Sequence, residues 1–264
     1  MNELEAINTG LERDEFFLEY LPTVALDTEC CVGGEALIRW RRDGQVVPPL
    51  AFIPQVEGTP LAERITHWVI DRVARELGPW LRAHELVHIG INVPPQVFVH
   101  HGIEQAVIRS DLKDVAHKLV FEVSARTAAD TMNVSALGNK KDSQVLIALD
   151  DVGSSKSDVV VVARARVDIV KIDKSFVDKL LQPACAEQQL EQLATLMNGS
   201  SLAAIAEGVE LAQQVALLRE AGVQMAQGWY FSRPLSADAF KDYFDAHQPA
   251  PAMQNKNNRR AHEA

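Results

Sequence analysis

The chain has 264 residues, 47% hydrophobic, 6% aromatic and 23% charged, which excludes disorder throughout and any fibrous repeat. With 26 Lys and Arg against 36 Asp and Glu the net charge is −10. Binding to DNA or RNA polymers or to an anionic membrane is therefore disfavoured, and a phosphate-bearing ligand needs local cations or metal to reverse the field.

In chain order, residues 1–15 form a polar lead-in with a helical leaning. FFLEYLPTVAL (16–26) reads as a strand, and after a turn-rich stretch GGEALIRW, ending at Trp40, reads as its hairpin partner. A loop with Pro48 and Pro49 follows. An amphipathic helix then runs from Leu61 to about His84, with Ile65, Val69, Val73 and Leu77 at helical spacing. Strand-like runs then alternate with helical stretches: VHIGINV (87–93), KLVFEVS (118–124), VLIALDDV (145–152), DIVKID (168–173), LAAIAEGV (202–209) and MAQGWYF (225–231). Pro183 breaks or delays the helical stretch that follows DIVKID.

Such alternation implies parallel pairing through crossover helices, and about eight strands imply a closed barrel. One such domain over residues 16–247 is expected, followed by a disordered Pro/Ala/Asn-rich tail at 248–264. No apolar run reaches membrane-span length, and the opening MNELEAINTGLERDEF is acidic where a signal peptide is basic and then apolar. Cys30, Cys31 and Cys185 lack metal-type spacing, so reduced thiols in a cytoplasmic protein are expected. The eight histidines form no metal motif and are expected on the surface or on helix faces.

The unusual feature is charge inside apolar strands. Glu35 lies in GGEALIRW, Asn92 ends INV, Glu122 sits inside LVFEV, and Asp150 and Asp151 finish VLIALDD. Lys171 and Asp173 share one face of IVKID, Glu207 closes LAAIAEG, and Gln227 lies in MAQGWYF. Such groups are costly to bury unless paired or metal-bound. Each has a bland alternative: Asp151 could cap the next helix and Gln227 could satisfy backbone. Recurrence on strand after strand, near the C-terminal ends where barrel enzymes place catalytic groups, outweighs those alternatives. The oxygen donors, with no His or Cys among them, call for a hard cation such as Mg²⁺, Mn²⁺ or Ca²⁺.

These segments together resemble the EAL domain family, the bacterial cyclic di-GMP phosphodiesterases. Glu35-Ala36-Leu37 is the eponymous triplet, with PLAFIP at 49–54 following it. Asp150-Asp151 resembles the start of DDFGTGYSS, Lys171-Ile172-Asp173 with Ser175-Phe176 resembles KID-x-SF, and Ala206-Glu207-Gly208-Val209-Glu210 resembles AEGVE. Gln227-Gly228 with Phe231-Ser232-Arg233-Pro234 resembles QG-x-x-FSRP, and the similarity runs from about Tyr20 to Phe244.

The resemblance implies an α/β fold, a modified TIM (β/α)8 barrel with an antiparallel first strand. It also implies a two-metal site, with Mg²⁺ or Mn²⁺, that hydrolyses cyclic di-GMP to linear pGpG. By position, Glu35, Asn92, Glu122 and Asp150 would hold one metal, and Asp151 and Glu207 would serve the second. Lys171 would act with them in catalysis, Arg39 would grip a ligand phosphate and Gln227 would be a polar positioner. A homodimer follows by the same analogy. Only some nineteen residues precede the resemblance, so control through a fused input domain is not expected.

Three positions depart from the pattern. Ala125 stands for the second Glu of E-I-T-E, the loop after Asp151 reads Val152-Gly153-Ser154-Ser155-Lys156-Ser157-Asp158, and Leu21 replaces the Gln of Y-Q-P. These changes suggest a loosened loop and reduced turnover, and they keep open a cyclic di-GMP receptor or protein-interaction regulator as the alternative. Hydrolysis stands ahead of it because preserved buried charge is expensive without a metal to use it.

Overall fold

Alternation of apolar residues along the first two strands sets how the barrel begins. β1 (Phe16–Ala25) directs Phe16, Leu18 and Tyr20 into the core beneath the helices and leaves Phe17, Glu19 and Leu21 on the other face. It pairs antiparallel with β2 (Cys31–Arg42), Leu21 opposite Glu35. The computed structural model describes residues 2–95, 97, 102–125, 144–153, 162, 167–198 and 202–249; the expected tail beyond residue 249 and the loop at 154–158 lie outside them.

Beyond β2 the structure differs from the expected proline loop. A short strand β3 (Gln45–Val47) pairs back on β2, and Pro49 opens a helix, α2 (Pro49–Val56). The reason is local: proline at the first helical position loses no intrahelical bond, and its fixed φ suits the turn. Preceding β1, the lead-in folds as α1 (Glu3–Glu12), capped by Asn2 and burying Ala6 and Ile7 in the main core. The long helix is α3 (Pro60–Ala83), whose N-cap Thr59 accepts from Leu61 N at 3.3 Å. Its stripe Ile65, Val69, Val73, Leu77 and Leu81 packs against the sheet.

Parallel pairing carries the ring from β2 through β4 (His88–Asn92), β5 (Leu119–Ser124), β6 (Leu146–Val152), β7 (Ile169–Ile172) and β8 (Ala203–Ala206) to β9 (Met225–Ala226). β9 closes antiparallel on β1 through Val24–Ala226 and Ala25–Met225. Eight strands therefore close on themselves, only the first running against the rest, as expected; β3 lies outside the ring. The last strand is shorter than MAQGWYF suggested, because Gly228 turns the chain at φ 151°. The outer helices include α4 (Gly102–Arg109), α5 (Lys174–Lys179), α6 (Ala186–Asn198), α7 (Ala212–Glu220) and α8 (Ala237–Ala246). Pro183 falls between α5 and α6, where the helical stretch is broken. Among the described residues no helix is long and apolar enough to cross a membrane.

Strand period then layers the lumen. Val120, Ala148, Ile169 and Ile205 form an apolar cluster of their own. Two residues further along the same four segments stand Glu122, Asp150, Lys171 and, just past the end of β8, Glu207, so the charged layer rests on an apolar floor.

Candidate active site

Lys171 is fully buried at the centre of the charged layer. Its Nζ lies 2.6 Å from Glu122 Oε2, 2.7 Å from Glu207 Oε1, 3.0 Å from Glu35 Oε2 and 3.9 Å from Asp150 Oδ1. Two amides complete the ring. Asn92 Nδ2 donates to Glu35 Oε1 at 2.6 Å, and Gln227 Nε2 donates to Glu35 Oε2 at 2.6 Å and to Glu207 Oε1 at 3.1 Å. Seven of the residues singled out in the sequence thus converge from β2, β4, β5, β6, β7 and the segments just after β8 and β9.

Two others stand apart. Asp151, at φ 60°, follows Asp150 directly, but its Oδ2 accepts from Ser124 Oγ at 2.8 Å. Arg39 lies four residues along β2 from Glu35, its Nε 2.8 Å from Glu19 Oε2. Asp173, by contrast, is a helix cap: its carboxylate accepts from Ser175 N at the start of α5.

The electrostatics follow from burial against charge. Burial raises Glu122 well above the ordinary carboxylate range, with the Glu35 charge adding to it, and pushes Glu207 up to about 8. Asp150 is raised by the same desolvation. Burial also works to raise Glu35, but the Lys171 charge and the hydrogen bonds from Lys171, Gln227 and Asn92 outweigh it, and its value is lowered. Burial opposes the Lys171 ammonium, yet the four acids around it hold its value well above that of a free lysine.

Four carboxylates share one ammonium in a low-dielectric setting, so the group takes up protons unless a cation neutralises it. With oxygen as its only donor atom among the acids, it suits hard divalent cations. Among the described residues no three acidic, His or Cys side chains already stand as a ligand shell, for Lys171 takes the centre.

Several supporting residues carried no sequence signal of their own. Gly90 leaves the space that the Glu122 carboxylate fills, and a Cβ there would overlap it. Thr23 Oγ1 lies 3.3 Å from Gln227 Oε1. Ser124 and Gly90 were legible only through period two, each standing two residues from Glu122 or Asn92 on its own strand. His88 corrects the expectation for the histidines. It lies on β4, its Nε2 shut from solvent without a partner among the described residues, and burial, with the Lys171 charge, pushes it down to about 4. Leu21 sits opposite Glu35 on β1, and Ala125 is buried in an apolar cluster with Val123, Ile147 and Val152.

A cavity of about 370 Å³ opens beside the acids. Asn92, Glu122, Asp150 and Asp151 line its polar side, and Ile53 and Ile65, from α2 and α3, contribute to its apolar wall.

The chain is similar to known proteins over most of its length. A family model described as EAL domain matches residues 4–234. The probable cyclic di-GMP phosphodiesterase PdeB of Escherichia coli (strain K12) is 32% identical over 250 residues, covering 91% of this chain and 47% of PdeB. PdeD of the same organism, also named a probable cyclic di-GMP phosphodiesterase, is 30% identical over 257 residues, covering 94% of this chain and 47% of PdeD. The chain thus spans about half the length of these curated relatives. Among solved structures, the cyclic di-GMP complex of the PaMucR phosphodiesterase matches with a TM-score of 0.80 at 28% identity, covering 91% of this chain and 100% of that one. The EAL enzyme Bd1971 in its cAMP- and cyclic-di-GMP-bound form matches with a TM-score of 0.82 at 25% identity, covering 91% and 68%.

Proposed function

The chain belongs to the EAL domain family, and on that footing we propose that it is a cyclic di-GMP phosphodiesterase, opening one phosphodiester of the cyclic dinucleotide to give linear pGpG. The observation that carries the reading is the buried group of Glu35, Glu122, Asp150 and Glu207 about Lys171 at the C-terminal mouth of the barrel. A set of buried acids is expensive to maintain unless it neutralises something.

Phosphodiesterases of this family are metal-dependent. In this reading two cations, Mg²⁺ or Mn²⁺, are held by Glu35, Asn92, Glu122 and Asp150 on one side and by Asp151 and Glu207 on the other. When bound, such ions supply Lewis acidity and neutralise the charge that develops on the phosphoryl oxygens.

The remaining work falls to the chain's own groups. The Lys171 ammonium offsets negative charge among the acids and gives a fixed positive pole close to the phosphate. Gln227 and Asn92 hold Glu35 by donating to both of its oxygens, so that its lone pairs keep one orientation. Arg39, held at the mouth by Glu19, exchanges that carboxylate for a ligand phosphate. The apolar wall beside Asn92 and Asp150 excludes water from one flank of the ligand. A cytoplasmic setting, consistent with three free cysteines, and a homodimer complete the reading.

The test is incubation of the purified protein with cyclic di-GMP and Mg²⁺ or Mn²⁺, following pGpG by chromatography. Product that is lost in EDTA supports the reading. Calorimetric binding with no product would replace it by the receptor alternative, to which Ala125 and Leu21 point.

A further inference from the structure

Gln227 does not hold its place in the acid group alone. The ladder between β1 and β9 runs through Ala25–Met225 and Val24–Ala226, and one step further in the same register Thr23 stands opposite Gln227. Thr23 lies on the face of β1 that carries Glu19 and Leu21, and it is buried. Its Oγ1 donates to Gln227 Oε1 at 3.3 Å.

The two ends of the Gln227 amide face different demands. Its Nε2 donates to Glu35 Oε2 and to Glu207 Oε1; an ionised Glu35 only accepts, so nitrogen is the end turned to the acids. The carbonyl end is then turned to β1. It belongs to a buried side chain, and among the described residues its one donor is Thr23. A buried carbonyl without a donor is costly, so the Thr23 hydroxyl supports this sense of the amide over any other. Apart from Lys171, Gln227 is the one side chain among the described residues that hydrogen-bonds to both Glu35 and Glu207. Those two acids serve different cations in the reading above, so a turn of this amide disturbs both halves of the site.

We propose that Thr23 is a positioning residue of this site: acting through Gln227, it fixes where Glu35 and Glu207 stand and so how tightly the site takes divalent cations. The proposal rests on the cation site of the phosphodiesterase reading and deepens it.

The experiment uses the full chain. Mn²⁺ binding is measured by calorimetry without dinucleotide, and KM and kcat from pGpG formation. Thr23→Val keeps the shape of the side chain and removes the donor. It is expected to raise the Kd for Mn²⁺ about 10-fold, the lower end for groups that orient metal ligands, since 3.3 Å is long for a hydroxyl donor. At limiting Mn²⁺ kcat falls, whereas KM for cyclic di-GMP at saturating Mn²⁺ keeps its wild-type value, because Thr23 is buried and acts on Gln227 alone. Thr23→Ser restores Mn²⁺ binding, and Thr23→Ala, which also lacks the donor, repeats the loss. Urea midpoints in EDTA test the route: the shifts of Thr23→Val and Gln227→Met are expected to sum to more than that of the double variant, which has no amide carbonyl left to orphan. A wild-type Kd for Mn²⁺ in both Thr23→Val and Thr23→Ala, or midpoint shifts that add, overturn the positioning role and leave the phosphodiesterase reading standing. A wild-type protein that binds Mn²⁺ but forms no pGpG overturns that reading alone, and one that binds no Mn²⁺ overturns both.

Discussion

Lys171 Nζ lies 2.6 Å from Glu122 Oε2, the two side chains meeting in the lumen from the strands that flank β6. Both are buried, so each is the condition for the other: removing one leaves an uncompensated charge in a low-dielectric interior.

Lys171→Met therefore destabilises the metal-free protein by about 3–5 kcal/mol, the usual range for breaking a buried ion pair from one side. Urea denaturation in EDTA reads this as a lower midpoint with the slope retained. Turnover falls with it. An unchanged midpoint would mean that the four acids do not depend on this ammonium.

The pH dependence has a definite sign. Burial raises Glu207 from about 4.5 to about 8, and raises Glu122 and Asp150 as well, so the folded state holds protons that the unfolded chain releases. That contribution is full below about pH 4.5 and is lost as pH rises toward 8. The lowered Glu35 acts only below its own ordinary range, outside this window. Melting in EDTA is expected to occur at lower temperature at pH 8.5 than at pH 5.5, and Mn²⁺ at pH 8.5 is expected to restore it. Equal melting temperatures at the two pH values without metal would contradict the picture of acids held protonated by burial.

Gly90→Ala tests the space under Glu122. The added methyl group displaces the carboxylate, and overpacking of this kind costs about 1–3 kcal/mol. A fall in turnover of at least 10-fold in a variant that remains folded by circular dichroism is the expected result. Wild-type turnover would show that the position of Glu122 is not critical.

Ala125→Glu bears on the departure from the family pattern. Ala125 is surrounded by Val123, Ile147 and Val152, so a carboxylate introduced there alone is buried without a donor. The single variant is expected to lose about 1–3 kcal/mol and gain no activity. Rebuilding residues 152–158 as the family's loop together with it is expected to raise turnover. If the combined change leaves the rate where it was, the loop is not what limits this protein.

Glu19→Gln releases Arg39 from a partly buried pair. Exposed pairs are worth roughly 0.2–1 kcal/mol and this one, less screened, lies at the upper end, so KM for cyclic di-GMP is expected to fall by about 5-fold, whereas Arg39→Ala raises it. A higher KM in Glu19→Gln would make Glu19 a positioner of Arg39 and not its competitor.

Much of this architecture was legible along the chain. Period two in GGEALIRW and LVFEVS, period 3.6 in the long α3 and the steady alternation of the two announced a barrel and marked which carboxylates stood against their surroundings. Where the reading failed, backbone geometry had overruled side-chain pattern. MAQGWYF is apolar enough for a long strand, but Gly228 turns it after two residues, and Pro49 starts a helix where paired prolines suggested a loop. His88 escaped because nothing adjacent to it in sequence reveals the strand face that encloses it.

By itself the sequence determined the eight strands of the ring and which polar residues their inward faces would carry, because alternation and spacing are properties of neighbours along the chain. Which of those residues would meet was decided only by closure. Register and ring order brought four acids onto Lys171, set Asp151 against Ser124 and paired Arg39 with Glu19. Distances across a barrel depend on strands far apart in the chain, and no local pattern encodes them.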